Sequence, residues 1–135
     1  MRKFLTMLLL FFNLPIFATS WQQYNVKGWY DLMTWQKQGN ISTMWFKDLN
    51  PGNWELINNK KVWYRITQLQ ADCAQRKIQI ISGTDYDLKG NIISNFTLQP
   101  RTYYENGKYY KEDNWQFVVP DSIGEEKYLL MCSYR

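Results

Sequence analysis

The chain has 135 residues, of which 45% are hydrophobic and 18% aromatic, with 16 basic and 12 acidic side chains and a formal net charge of +4. That charge is too small and too evenly spread for a nucleic-acid footprint, so no nucleic-acid partner is expected. There is no histidine, which removes the usual proton shuttle and the usual activator of a serine or cysteine nucleophile.

Arg2 and Lys3 head an almost unbroken apolar run over residues 4–17, followed by the small residues Ala18-Thr19-Ser20. This is the pattern of a cleaved export signal over 1–20, and the run falls short of the roughly 20 apolar residues a membrane-spanning helix needs. No cysteine for lipid attachment lies near the cleavage point, and no later run is long enough to span a bilayer. Residues 21–135 are therefore expected as one exported domain without a stable membrane anchor, periplasmic, surface-located or secreted.

Aromatic and apolar residues over 29–36 predict a first strand, and Gln38-Gly39-Asn40 a turn. Residues 41–47 predict a second strand with Ile41, Thr43 and Trp45 on one face and Met44 and Phe46 on the other. Apolar residues on both faces place it centrally in a sheet. Asn50-Pro51-Gly52-Asn53 is a strong turn signal, and 50–61 reads as a long loop with Trp54 and Leu56-Ile57 tucked back.

In the next stretch Val62, Tyr64 and Ile66 share one parity and Leu69, Ala71 and Cys73 the other. A one-residue shift in a period of two predicts a bulge or break near Thr67-Gln68. Residues 76–82 form another strand, with Ile78 and Ile80 on one face; 85–91 is a turn and 92–97 the returning strand. The whole reads as a β-meander. In Tyr103-Tyr104-Glu105-Asn106-Gly107-Lys108-Tyr109-Tyr110 the Asn-Gly pair specifies a two-residue hairpin of type I′. It sets Glu105 opposite Lys108, Tyr104 opposite Tyr109 and Tyr103 opposite Tyr110.

An extended run over 115–120 is stopped by Pro120. Ser122 and Glu125 have the spacing of a capping box, which opens a helix over 123–132 with Leu129 and Cys132 on its inward face. A strand over 128–131 is the alternative.

The two cysteines, Cys73 and Cys132, in an exported chain predict a structural disulfide. Two thiols without histidine make no zinc site, and no cofactor is expected. Asp85/Asp87 and Glu125/Glu126 are carboxylate pairs, yet their positions fit a turn and a helix first turn better than acid–base chemistry. Asp85-x-Asp87-x-Lys89-Gly90 fails as a calcium loop, because Lys89 stands at a ligand position and Phe96 where a bidentate glutamate belongs. No catalytic or metal-binding residue is assigned, and a non-enzyme is expected.

Most of the aromatic residues suit a core or a strand surface; an exposed aromatic binding face is the other possibility. Exposed tyrosines anchor interfaces, so Tyr103, Tyr104, Tyr109 and Tyr110 are the preferred partner-binding residues. The basic pairs Lys60-Lys61 and Arg76-Lys77 are either solvated or electrostatic aids to an acidic partner. Lys60 and Lys61 join the binding set.

Several motifs in order resemble the surface-adhesin protein E family: Trp29-Tyr30-Asp31, Met44-Trp45-Phe46, Asp72-Cys73-x-x-Arg76, Tyr86-Asp87-x-x-Gly90, and Val119-Pro120-Asp121-Ser122-x-x-Glu125 before Cys132. The resemblance covers residues 21–132. It implies an α+β fold: a curved antiparallel sheet of about six strands, with a C-terminal helix on its concave face tethered by Cys73–Cys132. It further implies an adhesin for host extracellular-matrix or serum proteins. The alternative function is a soluble periplasmic protein that binds an envelope component or small ligand in the concave face.

Overall fold

The computed structural model describes residues 20–49, 51 and 56–134. The expected export signal, apart from Ser20, and most of the Asn50–Asn53 turn with Trp54 lie outside the described residues. The elements are β1 (Trp21–Asn25), β2 (Gly28–Gln38), β3 (Ile41–Leu49), β4 (Leu56–Ile57), β5 (Lys60–Lys61), β6 (Tyr64–Asp72), β7 (Lys77–Tyr86), β8 (Ile92–Thr97), β9 (Arg101–Glu105), β10 (Lys108–Glu112), β11 (Gln116–Phe117) and α1 (Ile123–Ser133). Seven strands form one antiparallel sheet in the order β1-β2-β3-β6-β7-β11, with β8 also paired to β7. β11 takes the start of β7, at Lys77 and Ile78, and β8 takes its end, from Ser82 to Tyr86.

β3 is central, as apolar residues on both its faces predict. Its ladder with β6 runs unbroken from Ile41↔Asp72 to Leu49↔Tyr64. Met44 and Phe46 point to the helix-bearing face and are fully buried. There they join Tyr30, Leu69, Ala71, Val118, Tyr128 and Met131 in the core. At about 25 cal/mol per Å², burying a side chain of this size contributes about 1.5–3 kcal/mol.

The predicted irregularity falls on the β6–β7 ladder between Gln68 and Leu69, which pair with Ser82 and Ile80. The extra residue is Ile81 on β7, and β6 itself is continuous. Its two parities are simply its two faces. Asp85, expected in a turn, lies in β7 and is buried; the turn begins at Asp87. The stretch read as a long loop over 50–61 contains the short ribbon β4–β5, whose turn residues Asn58 and Asn59 have φ of 51° and 61°. Only Gln116 and Phe117 of the run 115–120 are strand.

α1 replaces the strand alternative over 128–131. Ser122 caps it by accepting from the Glu125 amide at 3.1 Å. The Glu125 carboxylate reaches one residue past the cap, to the Asp121 amide at 3.3 Å, and also pairs with Arg76. The inward face is Tyr128 and Met131, and Leu129 is exposed. This corrects the inward position expected for Leu129, whereas Cys132, expected on the same face, packs against the core; Tyr128 and Met131 are also three apart, one residue round the helix, and take the core.

Cys73 and Cys132 form the disulfide, with Cα atoms 5.7 Å apart. It fastens the last turn of α1 to the end of β6. Helix and sheet are further joined by Tyr128 to the Cys73 carbonyl at 3.1 Å, Lys127 to Asp48 at 2.6 Å, and Asn25 to Glu126 at 2.9 Å.

Candidate functional site: a tyrosine ribbon beside an open groove

The ribbon β9–β10 is a separate two-stranded sheet. Its turn is local chemistry: Asn106 and Gly107 adopt φ of 50° and 76°, the left-handed region a type I′ turn demands. The register matches the sequence reading, with Glu105↔Lys108, Tyr104↔Tyr109 and Tyr103↔Tyr110. Tyr103 and Tyr110 stack at 5.4 Å between ring centroids, and Tyr104 and Tyr109 meet at 4.9 Å, tilted by 56°.

Every residue of both strands is exposed. Successive side chains alternate across a strand, so the two tyrosine pairs lie on opposite faces of the ribbon. Tyr104 and Tyr109 are the barer pair, at 64% and 80%. A two-stranded ribbon with both faces in water is marginal alone, and these cross-strand pairs supply part of its stability.

Lys60 and Lys61 are exposed on β5 and do not belong to the tyrosine ribbon. Lys60 acts electrostatically on Asp87, just past the end of β7, whereas the ribbon leaves the sheet after β8 and returns at β11, beside the start of β7. The Asp87 carboxyl is held below its usual range, mainly by the Asn91 backbone amide, with help from the Asn91 side chain, the Lys89 amide and the charge of Lys60.

At the root of the ribbon the helix-bearing face opens into two adjoining depressions of about 500 and 460 Å³, which share Leu69, Ile80 and Lys127. The first is flanked by Glu112, Asp113 and Trp115, the second by Lys27, Asp48 and Arg65. The floor is apolar because Ile80 pairs with Leu69 across the bulge. No sequence motif marks this groove; it arises where β7 changes partner between β11 and β8.

The carboxylates singled out in the sequence have separate structural duties. Asp85 accepts from Arg65 at 2.5 Å and from Ser94 at 2.8 Å, while Asp87 accepts from the Lys89 and Asn91 amides. Glu125 binds Arg76, and Glu126 binds Asn25. Among the described residues there is no group of three or more His, Cys, Asp or Glu that could hold a metal ion, and no helix long and apolar enough to cross a membrane.

No family model and no curated protein matches the sequence. Solved structures do match. A second crystal form of Haemophilus influenzae protein E superposes with a TM-score of 0.52 at 13% identity, over 81% of this chain and 82% of that one. Protein E from non-typeable Haemophilus influenzae superposes with a TM-score of 0.51 at 12% identity, over 84% of this chain and 75% of that one. At this identity the likeness is one of fold: the chain has the fold of Haemophilus influenzae protein E, the fold its motifs pointed to.

Proposed function

We propose that residues 21–135 form an exported, non-enzymatic binding protein of the adhesin type, which uses the β9–β10 ribbon to hold host extracellular-matrix or serum proteins at the cell surface. One observation carries the reading. The ribbon presents four tyrosines in two preformed pairs, with every residue of both strands exposed. A packed domain gains little from such rings, whereas an interface gains much, since tyrosine offers a large rigid contact with a polar tip. The protein E fold supports the same reading.

The test is retention of purified mature protein on surfaces coated with basement-membrane extract or serum. Tyr103, Tyr104, Tyr109 and Tyr110 changed together to serine should weaken retention at least tenfold. Equal retention of the two proteins would remove the ribbon from the mechanism. Degradation by protease added to intact producing cells is expected as well.

The groove favours a second reading, a periplasmic protein that takes a small envelope component between α1 and β7. Protection from protease until the outer membrane is opened, with no retention on either coat, would support that reading instead.

A further inference from the structure

The sheet face turned away from α1 carries an ordered set of aromatic side chains and one partly buried cation. Pairing across the strands sets Trp21, Asp31, Trp45 and Gln68 in one row. Trp29, Lys47, Ile66 and Thr84 form the next, and Leu49, Tyr64 and Tyr86 a third. None of these large rings belongs to the core. Tyr64 and Tyr86 stack at 4.6 Å with 10° between their planes. The Lys47 ammonium lies 4.6 Å from the Tyr64 ring centroid and 5.9 Å from that of Trp29.

Lys47 makes no ion pair among the described residues, whereas Arg65, Arg76 and Lys127 each hold a carboxylate. The Asp31 carboxylate in the first row is buried and accepts from the Met33 amide at 3.0 Å. Asp87, at the far end, is spent within its own turn and has Lys60 beside it.

We infer that this face is a binding platform for an acidic glycan, with Trp29 and Tyr86 stacking on sugar rings, Lys47 meeting a carboxylate, and Tyr64, whose two faces are taken by Tyr86 and Lys47, holding both in place. The apolar C–H faces of a pyranose stack on aromatic rings as a base does on a stacking platform. With neighbouring strands about 4.8 Å apart, Tyr86 on β7 stands three strands from Trp29 on β2, with Lys47 and Tyr64 on the strands between. A cation held by ring faces, with no anion among the described residues, is positioned for one. The amides of Gln68 and Asn95, in the same rows, offer hydrogen bonds to hydroxyls. The inference is independent of the ribbon, which lies on other elements.

The experiment titrates mature protein with a hyaluronan octasaccharide, whose uronates alternate with N-acetylhexosamines, and with a dextran octasaccharide as neutral control, following tryptophan fluorescence. The wild type should bind hyaluronan at least tenfold more tightly than dextran. Lys47→Gln should abolish that preference, and Tyr64→Leu should weaken both sugars severalfold. The four-tyrosine ribbon variant should bind like the wild type. Circular dichroism and melting of each variant separate lost binding from lost folding; if Tyr64→Leu unfolds the protein, Tyr86→Leu takes its place. Hyaluronan binding unchanged by Lys47→Gln, or binding lost only in the ribbon variant, would overturn the proposal. So would an absence of sugar binding alongside loss of matrix-protein retention in Tyr64→Leu, which would make the face a protein interface.

Discussion

The Ser42 hydroxyl, fully buried on the central strand, donates at 2.7 Å to the backbone carbonyl of Met131, the residue before the helix cysteine. Trp35 Nε1 reaches the same carbonyl at 3.1 Å and the Ser42 oxygen at 2.9 Å. Carbonyls at the end of a helix have no partner within it, and here β2 and β3 supply one.

Ser42→Ala should therefore cost about 1–2 kcal/mol, because Trp35 still holds the carbonyl and the methyl group nearly fills the space. Trp35→Phe should cost more, through lost packing as well as the lost donor. The double variant should differ from the sum of the two, since both groups serve one acceptor. Urea midpoints measure this; a wild-type midpoint for Ser42→Ala would deny the bond any net role.

The disulfide closes a loop with a sequence separation of 59, worth about 4 kcal/mol in the chain-entropy model. Changing Cys73 and Cys132 together to serine should lower the melting temperature by roughly 10 °C or more. The variant should still fold, since Tyr128, Lys127, Glu125 and Met131 tie α1 to the sheet without it. Far-ultraviolet circular dichroism that loses its helical signal at 20 °C would show those ties to be insufficient alone.

Local chemistry was legible in the sequence and long-range choice was not. Asn106-Gly107, Ser122 and the alternation through Met44 and Phe46 each act over a few residues, and all three appear as read. Asp85 belongs to an Asp-x-Asp-x-x-Gly string that is turn-like by itself, whereas Arg65, 20 residues away, draws it into the sheet. The groove depends on β7 exchanging β8 for β11, which no single stretch encodes. The outer face was half legible: the parity of Thr43 and Trp45 marked it, but only the register shows Lys47 between Trp29 and Tyr64.

Tyr24 donates to Asp48 at 2.8 Å. Burial first, then the charge of Asp48 and this hydrogen bond, raises its pKa far above the usual tyrosine value. A pKa raised on folding means stability that is complete below about pH 10, the unfolded tyrosine value, and is lost as pH rises from there toward the folded pKa. The melting temperature should thus fall as the pH is raised from about 10 to 11.5, less steeply in Tyr24→Phe. Gly28→Ala should mimic part of the loss at neutral pH, since a Cβ there would lie 2.4 Å from the Tyr24 ring. Parallel alkaline slopes for wild type and Tyr24→Phe would assign the effect to other tyrosines, such as Tyr30 and Tyr64, whose pKa values are also raised.

The ribbon should be energetically detached from the core. Gly107→Val places a β-branched residue at φ of 76°, which costs about 1–3 kcal/mol locally. The ribbon is a separate sheet, so local disorder should absorb that cost and leave the global melting temperature within about 2 °C. Amide exchange should rise at residues 101–112 and stay level in β3 and β6. A large drop in melting temperature would show the ribbon to be part of the cooperative unit.

The pair Arg65–Asp85 tests how the sheet tolerates a buried charge. Asp85 is fully buried and receives Arg65 Nε at 2.5 Å and Ser94 Oγ at 2.8 Å, while the guanidinium carbon lies 5.5 Å from the Phe96 ring centroid. Phe96 in turn covers Gly83, where a Cβ would lie 2.4 Å from the ring. Asp85→Asn keeps the shape and the bond to Ser94 but removes the charge facing Arg65. Breaking a buried pair by removing one partner costs about 3–5 kcal/mol. Arg65 is partly open to solvent, so the lower end is expected. Arg65→Met alone leaves Asp85 charged in a closed site and should cost more than Asp85→Asn. The double variant should recover part of the loss, since it buries no lone charge. A double variant as unstable as the sum of the singles would mean that the two residues contribute independently, and that Arg65 matters here through its packing on Phe96.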